Sequence, residues 1–233
     1  MLGLGTGINK LSSAEASSIA SRSGGYLLDT YSGAAAAYSL RQLSSSYSGN
    51  AVKVRRSSDN TETDIGFVGG ELDTASLSSF AGAGDAFVVS WFDQSSNSND
   101  ATQTNTAKQP KIVSSGAVIV ENGKPAVEFD GSDDALSLTS TTAANAVCQI
   151  LVTVYDTSAS SLKMPLGGTS FWQHYSSNRV RVRLSSGDLI YSTGLSNGTR
   201  YIGILNGTGS GYTIRQNGTQ KLTSGSTANW AID

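Results

Sequence analysis

Three stretches of this sequence gather the charged, amide and acidic side chains from which a site could be built. The first, "KVRRSSDNTETDIGF" (53–67), packs three cations and a run of acids and amides into fifteen positions. The others, "FDQSSNSND" (92–100) and "FDGSDDA" (129–135), are acidic loops whose hard oxygens suit calcium, with Asp93, Asp100, Asp133 and Asp134 as candidate ligands. Neither loop has EF-hand spacing, and Asp and Asn populate turns because they bond their own backbone. The expectation is therefore ordered turns, no metal and no cofactor. His174 is the one histidine in the chain, so zinc sites and Ser-His-Asp catalysis lack parts. Trp172, His174 and Tyr175 form a candidate sugar platform, with core packing as the competing reading. "RVRVR" puts Arg179, Arg181 and Arg183 on one strand face, either simply solvated or facing an anionic polysaccharide.

In "AVKVRR" the alternation places Arg56 on the face of Val52 and Val54, with Lys53 and Arg55 on the other. An inward guanidinium needs a carboxylate, and Asp59, Asp64 and Asp93 are the nearest in sequence, Asp64 and Asp93 being the expected clamp. Ser57, Ser58 and Asn60 would satisfy the loop backbone. Loss of Arg56 should then destabilise far more than loss of Arg55.

These residues must be carried by a mainly β chain. Its 233 residues hold 26 glycines and only 15% charged side chains, a balance that suits short strands joined by tight turns. The composition does not break, so residues 26–233 read as one domain behind an N-terminal arm, 1–25, with a capping box at Ser12 and Glu15. Helices are expected over 34–44, where alanines precede Tyr38, Leu40 and Leu43, and over 72–80. Strands are expected at 85–93, 110–113, 117–120, 125–130, 135–139 and 146–156, the last an apolar run that predicts burial on both faces. "NGT" at Asn197, Asn206 and Asn217 predicts type I′ turns in an antiparallel meander. A net charge of −2 offers nothing to a phosphate backbone, and no apolar run reaches the roughly 20 residues of a membrane span. The first residues lack the cationic start of a secretion signal, and Cys148 alone forms no internal disulfide. Synthesis and folding in a cytoplasm are expected.

From "AAAAYSLRQLSSSYSG" through "VKVRRSSDNTETDIGF" to "VVSWFDQSSNSNDA", residues 34–101 resemble the first part of the catalytic domain of arabinofuranosidase B type glycosidases. The remainder, with "GKPAVEFDGSDDAL" and the NG-rich meander, resembles the concanavalin A-like, laminin-G-like domains of tailed-phage virion proteins. Together they imply a concanavalin A-like antiparallel β-sandwich, a jelly roll with two helical insertions, and an association with carbohydrate. Retaining hydrolysis needs two carboxyl groups about 5–5.5 Å apart. The glycosidase resemblance implies a nucleophilic glutamate on a strand of the second half and an acid/base aspartate later still. Beyond Glu128 this chain has no glutamate, and in the segment "RVRVRLSSGDLIY" the one acid is Asp188. The expectation is thus a non-enzymatic virion structural protein, a tail fibre or appendage or a capsid decoration protein. It would associate with itself, as a trimer, and with other virion proteins, and touch host-surface polysaccharide. The alternatives are an arabinofuranosidase-like glycoside hydrolase and a lectin-like module of a bacterial surface protein.

Overall fold

The computed structural model describes residues 25–138 and, after them, the strands named below with the turn at 217–218. The chain is mainly β, and every strand pairing among the described residues is antiparallel. A single helical turn, α1 (Leu27–Thr30), buries nothing. In the main sheet, β1 (Val52–Arg56) lies between the edge strand β2 (Glu62–Ile65) and the middle strand β5 (Ala86–Trp91), and the apolar residues of the three are buried together. Val52, Val54 and Val88 are fully buried, with Ile65 beside them. The sheet continues through β6 (Ala101–Thr102) to β11 (Ser137–Leu138), and through β7 (Lys111–Ser114) to β8 (Ala117–Val118).

Helix α2 (Thr74–Ala81) covers this core with Leu77 and Ala81, one turn apart. It starts where Asp73 caps it, accepting from the Ser76 N–H at 2.9 Å and the Ser76 hydroxyl at 2.6 Å. It stops at Gly82, whose φ of 62° favours glycine. Two hairpins flank the core: β3 (Phe67–Val68) with β4 (Glu71–Leu72), and β9 (Val120–Glu121) with β10 (Lys124–Pro125).

The helix expected over 34–44 does not form. Its backbone groups are claimed from outside. The Ala37 N–H donates to Asp93 and the Leu43 N–H to the Gln94 side chain, while that amide donates to the carbonyls of Ser39 and Arg41. The Gln42 N–H donates to the Gly70 carbonyl. Tertiary bonds replace the helical ladder, and alanine propensity is too weak to compete. The strand expected over 125–130 is reduced to Lys124–Pro125 and a bridge between Lys111 and Glu128. The helix proposed in the 1–25 arm lies outside the described residues.

In the second half, β13 (Val147–Tyr155), β18 (Thr199–Thr208), β19 (Gly211–Gln216) and β20 (Thr219–Ser224) form one sheet. A second holds β14 (Lys163–Leu166), β15 (Trp172–His174), β16 (Arg179–Leu184) and β17 (Gly187–Ser192), and β12 (Thr142–Ala144) pairs with β21 (Trp230–Ile232). Asn217 and Gly218, with φ of 50° and 80°, make the expected hairpin turn. Asn206 does not turn the chain: it lies within β18, and Asn197 falls outside the described residues. Nor is the 146–156 strand buried on both faces. Val152 is 63% exposed and stands in register with Ile202, itself 44% exposed, whereas Leu205 and Ile214 pair on the buried face.

Candidate functional site

The 92–100 loop is closed by its own acid. Asp93, 4% exposed, takes the N–H groups of Ala37 and Ser95 on Oδ1, and the Ser95 hydroxyl and the Asn99 N–H on Oδ2. Its own N–H donates to Asp100 at 2.9 Å. The Tyr38 hydroxyl donates to the Asn99 carbonyl, and its ring lies 6.4 Å from that of Trp91. Burial first, then the nearby Asp93 and Asp100 charges, push the Tyr38 hydroxyl far above its ordinary value. With both oxygens of Asp93 occupied by donors, the loop is built to join residues 34–43 to the sheet, and Asp93 is poorly disposed to hold calcium.

The two arginines of β1 exchange the environments expected of them. Arg55 is the buried one, 7% exposed. Its Nε donates to Gln109 Oε1 at 2.7 Å, Nη1 to Asn60 Oδ1 at 2.7 Å and Nη2 to the Thr106 carbonyl at 3.3 Å, and the guanidinium lies 4.8 Å from the Phe87 ring centre. All three hydrogen-bond partners are neutral. Arg56 is forked onto Asp59, at 2.8 and 2.6 Å, with Nη1 donating to the Phe80 carbonyl at 3.3 Å. Asp64 instead pairs with Lys53 at 3.6 Å, and Asp93 closes its own loop, so neither is the clamp. The alternation itself holds. What differs is the cover: residues 106–109 fold over the face of Arg55, while the Val52–Val54 face runs out at Arg56, beside the end of α2. The hydrogen bonds to Arg56 hold the Asp59 carboxyl well below the usual carboxylate range. The Ser57 hydroxyl accepts from the Asp85 N–H, as a loop-ordering serine should.

Asp130, Asp133 and Asp134 bring carboxylate oxygens within 4.8 Å of one another. Asp133 and Asp134 were calcium candidates, but their companion is Asp130, not Asp93 or Asp100. Asp130 Oδ1 accepts from the N–H groups of Ser132, Asp133 and Asp134, and Asp134 Oδ2 accepts from the Asp130 N–H at 2.9 Å. Lys108 stands 3.8 Å from Asp133. Burial, reinforced by the charges of Asp130, Asp133 and Glu128, raises the Asp134 carboxyl above its ordinary value. The "DGSDD" run carries the signal for this cluster, since an Asx turn folds a following acid back onto its first aspartate.

On β15 and β16 the register sets Trp172 opposite Val182, Gln173 opposite Arg181 and His174 opposite Val180. Trp172 and His174 thus lie on the strand paired with the one that carries Arg179 and Arg181. Tyr175 lies outside the described residues. Asp188, in β17, is in register with Arg183 of β16.

Residues 29–133 match the family model of the alpha-L-arabinofuranosidase B catalytic domain, a little under half of the chain. Comparison with curated protein sequences gave no match. Among solved structures, a GH54 α-L-arabinofuranosidase soaked with a cyclic sulfate inhibitor is 17% identical, covering 84% of this chain and 54% of its own, with a TM-score of 0.60. An arabinofuranosidase complexed with arabinofuranosyl-α-1,2-xylobiose is 18% identical over 82% and 51%, with a TM-score of 0.61. A glutamate-to-glutamine mutant of a GH54 enzyme soaked with 4-nitrophenyl α-L-arabinofuranoside gives 17%, 84%, 54% and 0.62. The chain spans about half the length of these structures, and the likeness is one of fold. These matches overturn the expectation of a non-enzymatic virion protein, because the model that fits is that of an enzyme's catalytic domain. They carry the arabinofuranosidase half of the resemblance and not the phage half: residues 29–133 are an arabinofuranosidase B-like segment in a mainly β, antiparallel fold.

Proposed function

We propose that this chain is an arabinofuranosidase-like glycoside hydrolase domain that acts on α-L-arabinofuranosyl units of a polysaccharide. The observation that carries the reading is the match of residues 29–133 to the catalytic-domain model. The fold likeness to arabinofuranosidases over more than four-fifths of the chain supports it. The finer architecture, a concanavalin A-like jelly roll, belongs to the same proposal and is supported by the two four-stranded antiparallel sheets of the second half.

Hydrolysis with retention needs one carboxylate to attack the anomeric carbon and a second carboxyl to protonate the leaving oxygen. The residue assigned to the attack is Asp188, the one acid in the segment where the resemblance places the nucleophile, carried on the regular strand β17. An aspartate in place of the family's glutamate is one methylene shorter. The sugar must approach this strand more closely than it would approach a glutamate-bearing one.

The test is release of 4-nitrophenol from 4-nitrophenyl α-L-arabinofuranoside and of arabinose from arabinofuranosyl-α-1,2-xylobiose. The wild-type chain should turn over both, and Asp188→Asn should lose turnover while keeping its melting temperature. Absence of turnover on both substrates by a folded wild-type chain would remove the reading.

A further inference from the structure

Asn-Gly pairs recur at Asn122, Asn197, Asn206 and Asn217, and the described residues hold three of them in different ways. Glycine after asparagine leaves the backbone nitrogen unshielded, so this is the bond at which an asparagine side chain is most easily attacked by its own chain. The attack also needs local opening, because that nitrogen must swing onto the Asn Cγ, and the opening cost differs from place to place in a fold.

Asn206 and Gly207 lie inside β18, in register with Cys148 and Val147 on one side and with Thr213 and Tyr212 on the other. Two ladders hold that backbone. Asn217 and Gly218 turn a hairpin whose strands, β19 and β20, are six residues each. There the Asn217 Oδ1 accepts the Ile202 N–H at 2.8 Å and the Asn217 N–H donates to the Ile202 carbonyl at 2.9 Å. Asn122 and Gly123, with φ of 54° and 73°, turn a hairpin of only two residues per strand. Both are exposed, a Cβ built on Gly123 would meet nothing within 4 Å, and among the described residues nothing bonds the Asn122 carboxamide.

We infer that Asn122 is a deamidation site, and that it reacts ahead of Asn206 and Asn217. The Gly123 backbone nitrogen, losing its proton, forms a bond to the Asn122 Cγ, and the side-chain nitrogen departs with the proton as ammonia. Water then opens the cyclic imide at either carbonyl, giving aspartate or isoaspartate, with no oxidant or reductant involved. The product adds a negative charge beside Glu121, two residues from the Lys124 ammonium that lies 3.7 Å from Glu71. Isoaspartate also lengthens the backbone of a two-residue turn, whose geometry fixes the register of β9 on β10.

The experiment incubates the intact chain in mildly alkaline buffer and follows the Asn122, Asn206 and Asn217 peptides by mass spectrometry. The Asn122 peptide should convert at least about tenfold faster than either other, the ratio given by ~1.4 kcal/mol less opening free energy. In denaturant the three rates should converge, because folding sets the difference. Conversion at Asn217 or Asn206 as fast as at Asn122 in the folded chain, or a tenfold lead that persists in denaturant, would overturn the inference.

Discussion

The outer side of strand β1, closed over Arg55 by residues 106–109, and its inner side, which ends at Arg56 beside helix α2, hold the same kind of side chain in opposite ways. Arg55 is sealed with amide and carbonyl partners and an aromatic ring, and among the described residues no carboxylate pairs with it. Arg56 is bound by a carboxylate, and a third of its side chain remains exposed. Strand alternation assigns a side chain to a face. Whether that face is buried depends on a segment fifty residues away in sequence.

The largest effect that would sharpen this contrast is at Arg55. Arg55→Ala strands the side-chain oxygens of Gln109 and Asn60 and removes the contact to Phe87, so unfolding free energy in urea should fall by about 2–4 kcal/mol. Arg56→Ala, at an exposed pair, should fall by clearly less. Equal losses would break the comparison. Next comes Asp93→Ala, which leaves the N–H groups of Ala37, Ser95 and Asn99 without their acceptor. It should cost about 2–3 kcal/mol and release residues 34–43 to faster hydrogen exchange.

Acid should separate the surface pairs from the buried cation. The bond from Lys111, first, and that from the Ser115 N–H hold the Asp85 carboxyl below its ordinary value, as Arg56 does for Asp59. A folded-state value below the unfolded one contributes stability that is complete above the unfolded pKa, about 4, and is lost as pH falls through the folded value. The melting temperature should therefore drop below about pH 4, by less in Asp85→Asn, and the penalty of Arg55→Ala should stay constant across that range. The smallest expected effect is that of calcium. Chelator or added calcium should leave the melting temperature unchanged, whereas a rise of several degrees with calcium would make Asp130, Asp133 and Asp134 a cation site.

The mainly β character, helix α2, strands β5 and β13 and the Asn217 turn were legible in the sequence because each rests on local chemistry: periodicity, an apolar run, a pair of left-handed residues. Residues 34–44 were not, since the donors and acceptors that replace their helical bonds sit on Asp93 and Gln94. Asn206 was misread as a turn for a related reason. The strand ladders on both sides outweigh its local preference. The cover over Arg55 and the joining of Asp130 to Asp133 and Asp134 differ in kind. The second follows from a five-residue run and was available, while the first depends on where residues 106–109 return. The glycosidase likeness of the first half was also visible in its motifs. The absence of a glutamate beyond Glu128 argues against catalysis but not against the fold, and it puts the question to Asp188.

That question is settled most directly by hydrolysis of 4-nitrophenyl α-L-arabinofuranoside with the wild-type chain and Asp188→Asn side by side. The account predicts turnover by the wild type, with loss of at least about a hundredfold in the variant, a deficit in the barrier of ~2.7 kcal/mol or more, at unchanged melting temperature. Equal activity in the two chains would contradict the assignment of Asp188, and no activity in either would contradict the hydrolase reading itself.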